Sequence, residues 1–472
     1  MTRIPWPDLP ATFQDAVEFT RHLGIGYLWI DSICIIQGDE ADWNHESANM
    51  LDIYRNAYVT LAGLHGSSSL SGLHSFEKEE QPVKVAELSR GQHMYPIYMR
   101  VPHVEPLCEF YPGNFLHFEN HQSAIPLVNR AWTYQERMIS RAILYFTGNE
   151  IVFQCFETMH CQCRVSRYES QIKESSKTLF LLNTLYDQGG DNFGMPIPTS
   201  KTYRSHKKTV DGIAGCWRDN ILPEYSQLSL TLPRDRLPAL GALAKQFHKA
   251  CPTNTYLAGL WLKSLLHDLL WVCAHNPLGD FKLESKETLN RPYSIPTWSW
   301  ASLQSSITYV SAESLVPRAE VIQASCKYQQ DNPFGILESS LLVLRGKLMP
   351  CLADWTGSVD CSIQLLATTR TSLRDDERNI VKAQNLSGTT YMDHDDTGCQ
   401  CIPPLQDVYI LQIAKVQWGD RGRSFYLVLR RIAEGKDVFE RAGVYCDIPG
   451  LRSDARSTAF SEQGVVTDCE IR

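Results

Sequence analysis

Glu46 is the residue whose surroundings suit it least. Trp43, Met50, Ile53, Tyr54 and Ala57 recur at helical spacing, and Glu46 lies inside that stripe because positions three and four apart share a helix face. A carboxylate there is either a structural acid, satisfied by a backbone donor or by an arginine such as Arg137, or a catalytic one. Asp31 is a second candidate. It stands near the carboxyl end of the apolar run Tyr27 to Ile36, where open α/β sheets place ligand contacts, and it could equally cap the next turn. Trp132, Gln135, Glu136 and Arg137 form a third group, polar residues beside an aromatic wall. That composition suits a nucleotide ring or a partner protein, or else a buried glutamate–arginine pair.

The elements that must position these groups follow from period. Tyr27 to Ile36 is too short for a membrane span and reads as a strand buried on both faces. Asp42 is a good N-cap for a helix over 42–57, and Tyr58 to Ala62 returns to strand character before Gly63. Strand, helix and strand make a right-handed crossover with parallel strands at 25–36 and 58–62. Upstream, Thr12 and Asp15 read as a capping box for a helix that buries Phe13, Ala16, Val17, Thr20 and Leu23 and stops at Gly24. Downstream, Trp132 to Ile139 makes a short helix, and Ala142 to Phe146 and Ile151 to Cys155 make a hairpin.

Tyr27-Leu28-Trp29-Ile30-Asp31-Ser32-Ile33-Cys34-Ile35-Ile36-Gln37, then Asp42-Trp43, Glu46, Met50, Ile53-Tyr54 and Ala57, closely resemble the heterokaryon incompatibility (HET) domain of filamentous fungi. Arg130-Ala131-Trp132-Thr133-Tyr134-Gln135-Glu136 resembles a second motif of that family, so the likeness spans roughly residues 10 to 157. Pro233 to Leu240, Leu257 to Trp261 and Pro296 to Ala301 resemble segments that commonly follow such domains. Members usually carry an earlier strand of the Leu-Ser-Tyr-x-Trp-Gly kind. Nothing in Met1 to Pro10 matches it, so a lost first exon or a shortened member is expected.

The resemblance implies non-self recognition in vegetative incompatibility, ending in growth arrest or programmed cell death. HET domains distantly resemble Toll/interleukin-receptor (TIR) domains, whose enzymatic members cleave NAD⁺ at the nicotinamide–ribose bond with a helix glutamate shortly after a Trp. Trp43 and Glu46 are comparably placed, with a spacing that differs by one. Such a cleavage needs a carboxylate beside an oxocarbenium-like centre. The resemblance thus implies Glu46 as the catalytic residue and Asp31, Trp43, Trp132, Gln135, Glu136 and Arg137 as substrate-binding residues. The alternative it leaves open is a non-catalytic signalling module that assembles with itself or with a protein partner.

The implied fold is an α/β N-terminal domain (TIR-like or flavodoxin-like parallel sheet, residues 1–157), a helical middle (158–292) and a β-rich sandwich or barrel (293–450). A polar insertion over 372–403 and a disordered tail over 451–472 complete the expectation. Within the middle, Trp217 to Ala250 and Tyr256 to Ala274 both read as helical. Strands are expected at Leu341 to Leu348, Ser362 to Thr368, Asp407 to Val416, Phe425 to Arg430 and Val438 to Cys446.

Composition narrows the partners. Across 472 residues the formal charge is −8, which leaves no basic surplus to displace counterions from nucleic acid. No window approaches the roughly 18 apolar residues of a membrane helix, and the N-terminus has no signal-peptide core. Fifteen cysteines, odd in number and mostly inside apolar runs, suit reduced thiols in a cytoplasmic protein. Cys161/Cys163 and Cys399/Cys401, with His160 and His394 nearby, are Cys-x-Cys pairs, tighter than common zinc spacing and placed in different domains. No metal is expected. No P-loop or dinucleotide fingerprint occurs, so no cofactor is expected and NAD⁺ would enter as a substrate.

Overall fold

Gly24, at φ +70°, ends α1 (Ala11–His22), the conformation that an L side chain resists. The computed structural model describes residues 4–64, 66, 68–73, 83–91, 93–99, 126–147, 150–156, 158–162, 210–274, 295–310, 315–355, 363–367, 384–386, 388–392, 406–418, 421–432, 436–447 and 464–472. The chain forms two compact units, Met1–His206 and Lys207–Arg472.

In the first unit, the capping box expected at Thr12 and Asp15 is not formed. Pro10 precedes α1 without a side-chain cap. The Asp15 carboxylate instead accepts from the Leu73 N–H at 2.6 Å, while the Thr12 N–H donates to the Ser69 carbonyl at 3.0 Å. A long-range partner has displaced the local one, and it ties the loop after β1 (Thr60–Gly63) back onto the helix. The buried face of α1 then meets the sheet, with Phe19 edge-on to Phe146 at 5.6 Å and Ala16 clustered with Leu73 and Phe146.

The strand expected over 25–36 is corrected. Residues 25–30 are extended without a ladder partner among the described residues, and α2 (Asp31–Cys34) is a single helical turn. Asp31 starts it by accepting from the Ser32 N–H at 2.7 Å, the local bonding that favours Asp and Ser at helix starts. Leu28 packs on the cluster of Ala16, Leu73 and Phe146, whereas Tyr27 is 93% exposed. An apolar run alone does not separate a two-sided strand from an extended arm that buries one face. Helix α3 (Glu40–Asn56) then follows, capped by Asp39 and not by Asp42: the Asp39 carboxylate accepts from the N–H groups of Ala41 and Asp42.

The strand pair β2 (Val83–Arg90) and β3 (His93–Met99) is a separate antiparallel hairpin. After it comes α4 (Ala131–Ile139), then β4 (Ala142–Phe146), β5 (Ile151–Cys155) and β6 (Met159–Cys161). The sheet order is β1-β4-β5-β6. Parallel pairing joins β1 to β4, from Thr60 opposite Ile143 to Gly63 opposite Phe146, and not 58–62 to 25–36 as expected. The hairpin of β4 and β5 is as expected, and β6 continues it antiparallel. Ala62, Leu64, Val128, Ile143, Tyr145, Val152, Met159 and Cys161 form the core on this sheet.

The second unit begins with continuous helical turns, Val210–Cys216, a π-turn at Trp217–Ile221 and Leu222–Ser226, with a further helix at Gly241–Ala250. The helix expected over 217–250 is interrupted: residues 227–232 are not helical, and Pro233–Arg236 and Pro238–Leu240 are 3₁₀ turns before the last helix. The helix expected over 256–274 is corrected: β7 (Tyr256–Leu257) and β8 (Leu260–Trp261) form a hairpin, and β9 (Trp271–Cys273) pairs with β10 (Ile307–Tyr309). Ala258 at φ +45° and Gly259 at φ +97° close the hairpin, the two left-handed residues that a two-residue turn requires. The Gly259 carbonyl accepts from the indole N–H of both Trp217 (2.9 Å) and Trp300 (3.2 Å). The segments 257–261 and 296–301 therefore meet at one backbone carbonyl.

The remaining strands are β11 (Leu315–Pro317), β12 (Glu320–Tyr328), β13 (Leu337–Trp355), β14 (Ile363–Ala367), β15 (Gln384–Leu386), β16 (Gly388–Met392), β17 (Gln406–Trp418), β18 (Arg421–Arg431), β19 (Val438–Asp447) and β20 (Val465–Ile471). The long β13 pairs with both β17 and β20, β17 with β18, β18 with β19 and β19 with β20. Those five strands close on themselves as a barrel-like ring, which removes edges. All of the expected C-terminal strands lie in this one sheet. Two expectations change. The insertion over 372–403 contributes β15 and β16, and the tail expected to be disordered supplies β20. Residues 163–209, Cys163 among them, lie outside the described residues, as do His394, Cys399 and Cys401.

Candidate functional site

Three aligned contacts hold α3 against α4. Trp43 meets Trp132 edge to face, with ring centroids 5.8 Å apart and planes at 90°. The Gln135 amide donates to the Met50 sulfur at 3.9 Å. The Tyr54 hydroxyl hydrogen-bonds the Glu136 carboxyl. On α3 these partners fall at helical spacing, so they share one face, and α4 answers with residues one turn apart. Trp132 and Glu136 lie at i and i+4, with Gln135 beside them.

Glu46 belongs to the same α3 face, one turn after Trp43 and one before Met50. Its side chain is 24% exposed, and His45 Nε2 lies 4.0 Å from its carboxylate. The arginine considered from the sequence, Arg137, sits elsewhere: its guanidinium lies over the Tyr134 ring, 5.9 Å from the centroid, and its charge acts on Glu136 and Tyr145. Glu46 is thus a partly solvated carboxylate on a helix face otherwise given to packing.

Glu136 is the perturbed group. Burial pushes its carboxyl up to about 7, and the Asp31 carboxylate raises it further; the Tyr54 hydroxyl, Arg130 and Arg137 pull the other way. Tyr54 moves with it: burial first, then Glu136 and Asp31, drive the phenol well above its ordinary range. The Trp29 ring packs edge-on against Tyr54 at 5.6 Å, so the arm over 25–30 reaches this cluster although it joins no sheet. Below it, the Ser140 hydroxyl donates to the Glu136 backbone carbonyl at 2.6 Å and bonds Thr60 at 2.8 Å, linking the end of α4 to β1.

The structure therefore gathers most of the sequence candidates in two adjoining places. Trp43, Trp132 and Gln135 lie in the contact between α3 and α4, and Glu46 lies on the same face of α3. Asp31, Glu136 and Arg130 act on Tyr54, and Arg137 acts on Glu136. Asp31 acts on Glu136 and Tyr54, from the helical turn α2 and not from the end of a strand. Tyr54, Trp29 and Arg130 were missed as site residues. Tyr54 read as one more apolar position in a stripe, and only its hydroxyl, eight residues after Glu46, signalled otherwise. Among the described residues no group of three His, Cys, Asp or Glu side chains is arranged to hold a metal ion. No helix among them is long and apolar enough to cross a membrane.

Comparison with known proteins agrees on one point. Residues 2–136 match the family model described as Heterokaryon incompatibility protein (HET), a span that ends at Glu136 and contains α1 to α3 and the start of α4. No curated protein and no solved structure matches the chain. The N-terminal region of this chain, over residues 2–136, is a heterokaryon incompatibility (HET) domain.

Proposed function

We propose that this protein acts in heterokaryon incompatibility, converting non-self recognition into growth arrest and cell death in the cytoplasm, and that its HET domain does so as a TIR-like enzyme cleaving NAD⁺ at the nicotinamide–ribose bond. The observation that carries the reading is the placement of Glu46. Its carboxylate is partly solvated and flanked by Trp43 and Met50 on the face that meets α4. A carboxylate at such a place can stand against an oxocarbenium-like ribose, and the Trp43 and Trp132 indoles offer aromatic contact to a nicotinamide or adenine ring. Asp31, Gln135, Glu136 and Arg137 are the polar groups for the rest of the nucleotide.

The test is Glu46→Gln in the full-length protein. NAD⁺ consumption and death on overexpression should be lost, with a thermal midpoint within a degree or two of wild type. A mutant that unfolds makes Glu46 a structural acid. Wild type that consumes no NAD⁺ hands the role to the second reading, a signalling module acting by assembly. One observation favours that module: Tyr27, Ile36 and Tyr58 are 93%, 62% and 72% exposed and leave large apolar side chains open to a partner.

A further inference from the structure

We propose that two copies of this chain pair through the arm over residues 26–30, each lending the other an antiparallel strand. The pairing does not depend on what Glu46 does. It gives the assembly of the signalling reading a surface and a partner, and it is measured without NAD⁺. The arm has the set of a strand. Ile30 lies at φ −134° and ψ 120°. Leu28 packs on Ala16, Leu73 and Phe146, whereas Trp29 meets the Tyr54 ring at 5.6 Å, so successive side chains leave the arm on opposite sides. Helix α1 lies on one side of it and α3 on the other, as helices flank a strand of an α/β sheet.

What the arm lacks is hydrogen bonds. Among the described residues, the N–H and carbonyl groups of Gly26, Tyr27, Leu28 and Trp29 have no partner. The chain is bonded on either side of them. The Ile25 N–H donates to the Thr20 carbonyl at 3.1 Å, and the Ile33 and Cys34 N–H groups donate to the Ile30 carbonyl at 3.0 and 2.8 Å. A row of unpaired backbone groups in extended chain is the template that a second strand completes.

The residues of the arm select the partner. Edges that stay single are blunted by lysine, proline or a bulge. Gly24-Ile25-Gly26-Tyr27-Leu28-Trp29-Ile30 has no charge and no proline, so the same run from a second copy meets it with no like charges opposed. Each arm then gives and takes the same bonds, as a two-fold contact requires. With Leu28 opposite the second copy's Leu28, Tyr27 falls opposite the second copy's Trp29. Tyr27 and Trp29 share a face of the arm, so this register makes a cross-strand aromatic pair twice over. It also covers Tyr27, which is 93% exposed in the single chain. So short a contact makes a concentration-dependent dimer.

Sedimentation velocity of the full-length protein over roughly 1–100 μM, with hydrogen exchange of the arm at both ends of that range, tests the pairing. Wild type should pass from monomer toward dimer, and the amides of residues 26–30 should gain protection at the high concentration. Tyr27→Lys puts a charge on the edge and should weaken dimerisation on the order of 10-fold or more. Tyr27→Phe keeps the ring and should dimerise like wild type. Because Tyr27 is exposed, both variants should melt with wild type. A dimer whose arm amides still exchange freely, or one that Tyr27→Lys leaves intact, overturns the self-pairing. So does wild type that stays a monomer across the range, which hands the open edge to a strand of another protein. NAD⁺ consumption is assayed separately and leaves this result untouched.

Discussion

Trp43 and Trp132 stand edge to face across α3 and α4, their planes at 90° and their centroids 5.8 Å apart. The pair closes one end of the groove, and the Tyr54–Glu136 hydrogen bond closes the other. Met50 and Gln135 lie between the two ends, so the helices are registered at three points by three different interactions. Glu46 stands between the first and second of them.

The indole pair should be measurable as a coupling. Trp43→Ala and Trp132→Ala should each destabilise the first unit, and the double variant should cost less than their sum by about 1 kcal/mol. Chemical denaturation of wild type, both single variants and the double variant gives the cycle directly. Additive costs would mean that the rings touch without interacting.

Glu136 should make stability depend on pH in a stated direction. Its folded carboxyl lies at about 7 against an ordinary 4.5, so the folded state holds the proton more tightly than the unfolded chain. The stabilisation is then complete below about 4.5 and is lost as pH rises through 7. Glu136→Gln removes that dependence and keeps an acceptor for Tyr54. Relative to wild type it should gain roughly 1–3 kcal/mol between pH 4.5 and 8, read from denaturation midpoints at both pH values. A gap between variant and wild type that does not widen with pH would place the perturbed proton elsewhere.

In the second unit, Asp268 should tolerate no truncation. Its buried carboxylate accepts from Arg218 Nη1 at 3.1 Å, from the Trp261 N–H at 3.0 Å and from the Ser264 hydroxyl at 2.9 Å. Asp268→Ala strands a guanidinium that is itself 9% exposed and leaves it the half-exposed Asp219, 3.3 Å from its Nε. A loss of about 3–5 kcal/mol is expected. The unfolding transition of the β-rich unit in urea measures it, and a loss below 1 kcal/mol would show that solvent reaches Arg218.

Several of these features were legible in the order of residues. Helical spacing located α1, α3 and α4 to within two residues at most ends, and alternation bounded by turn residues located β4, β5 and the strands of the C-terminal sheet. The motifs at 27–57 and 130–136 carried the family resemblance, and Trp43 and Trp132, one from each, meet across α3 and α4. These signals are local: a helix face or a strand face is written within a few consecutive residues, and the hydrophobic effect acts on that face wherever it is buried.

What only the tertiary structure decided was the choice of partner. Residues 27–36 satisfy the pattern of a buried strand, yet Asp31 and Ser32 begin a turn, and β1 pairs with β4, more than eighty residues away. Asp15 could cap its own helix and bonds Leu73 instead. Tyr54 carries a phenol that no periodicity distinguishes from a packing ring, and its meeting with Glu136 depends on how α3 crosses α4. The last strand, β20, joins β13 across more than a hundred residues of chain. Hydrogen bonds and ion pairs between distant segments form only when packing has brought their ends together, and a sequence records the groups but not their meeting.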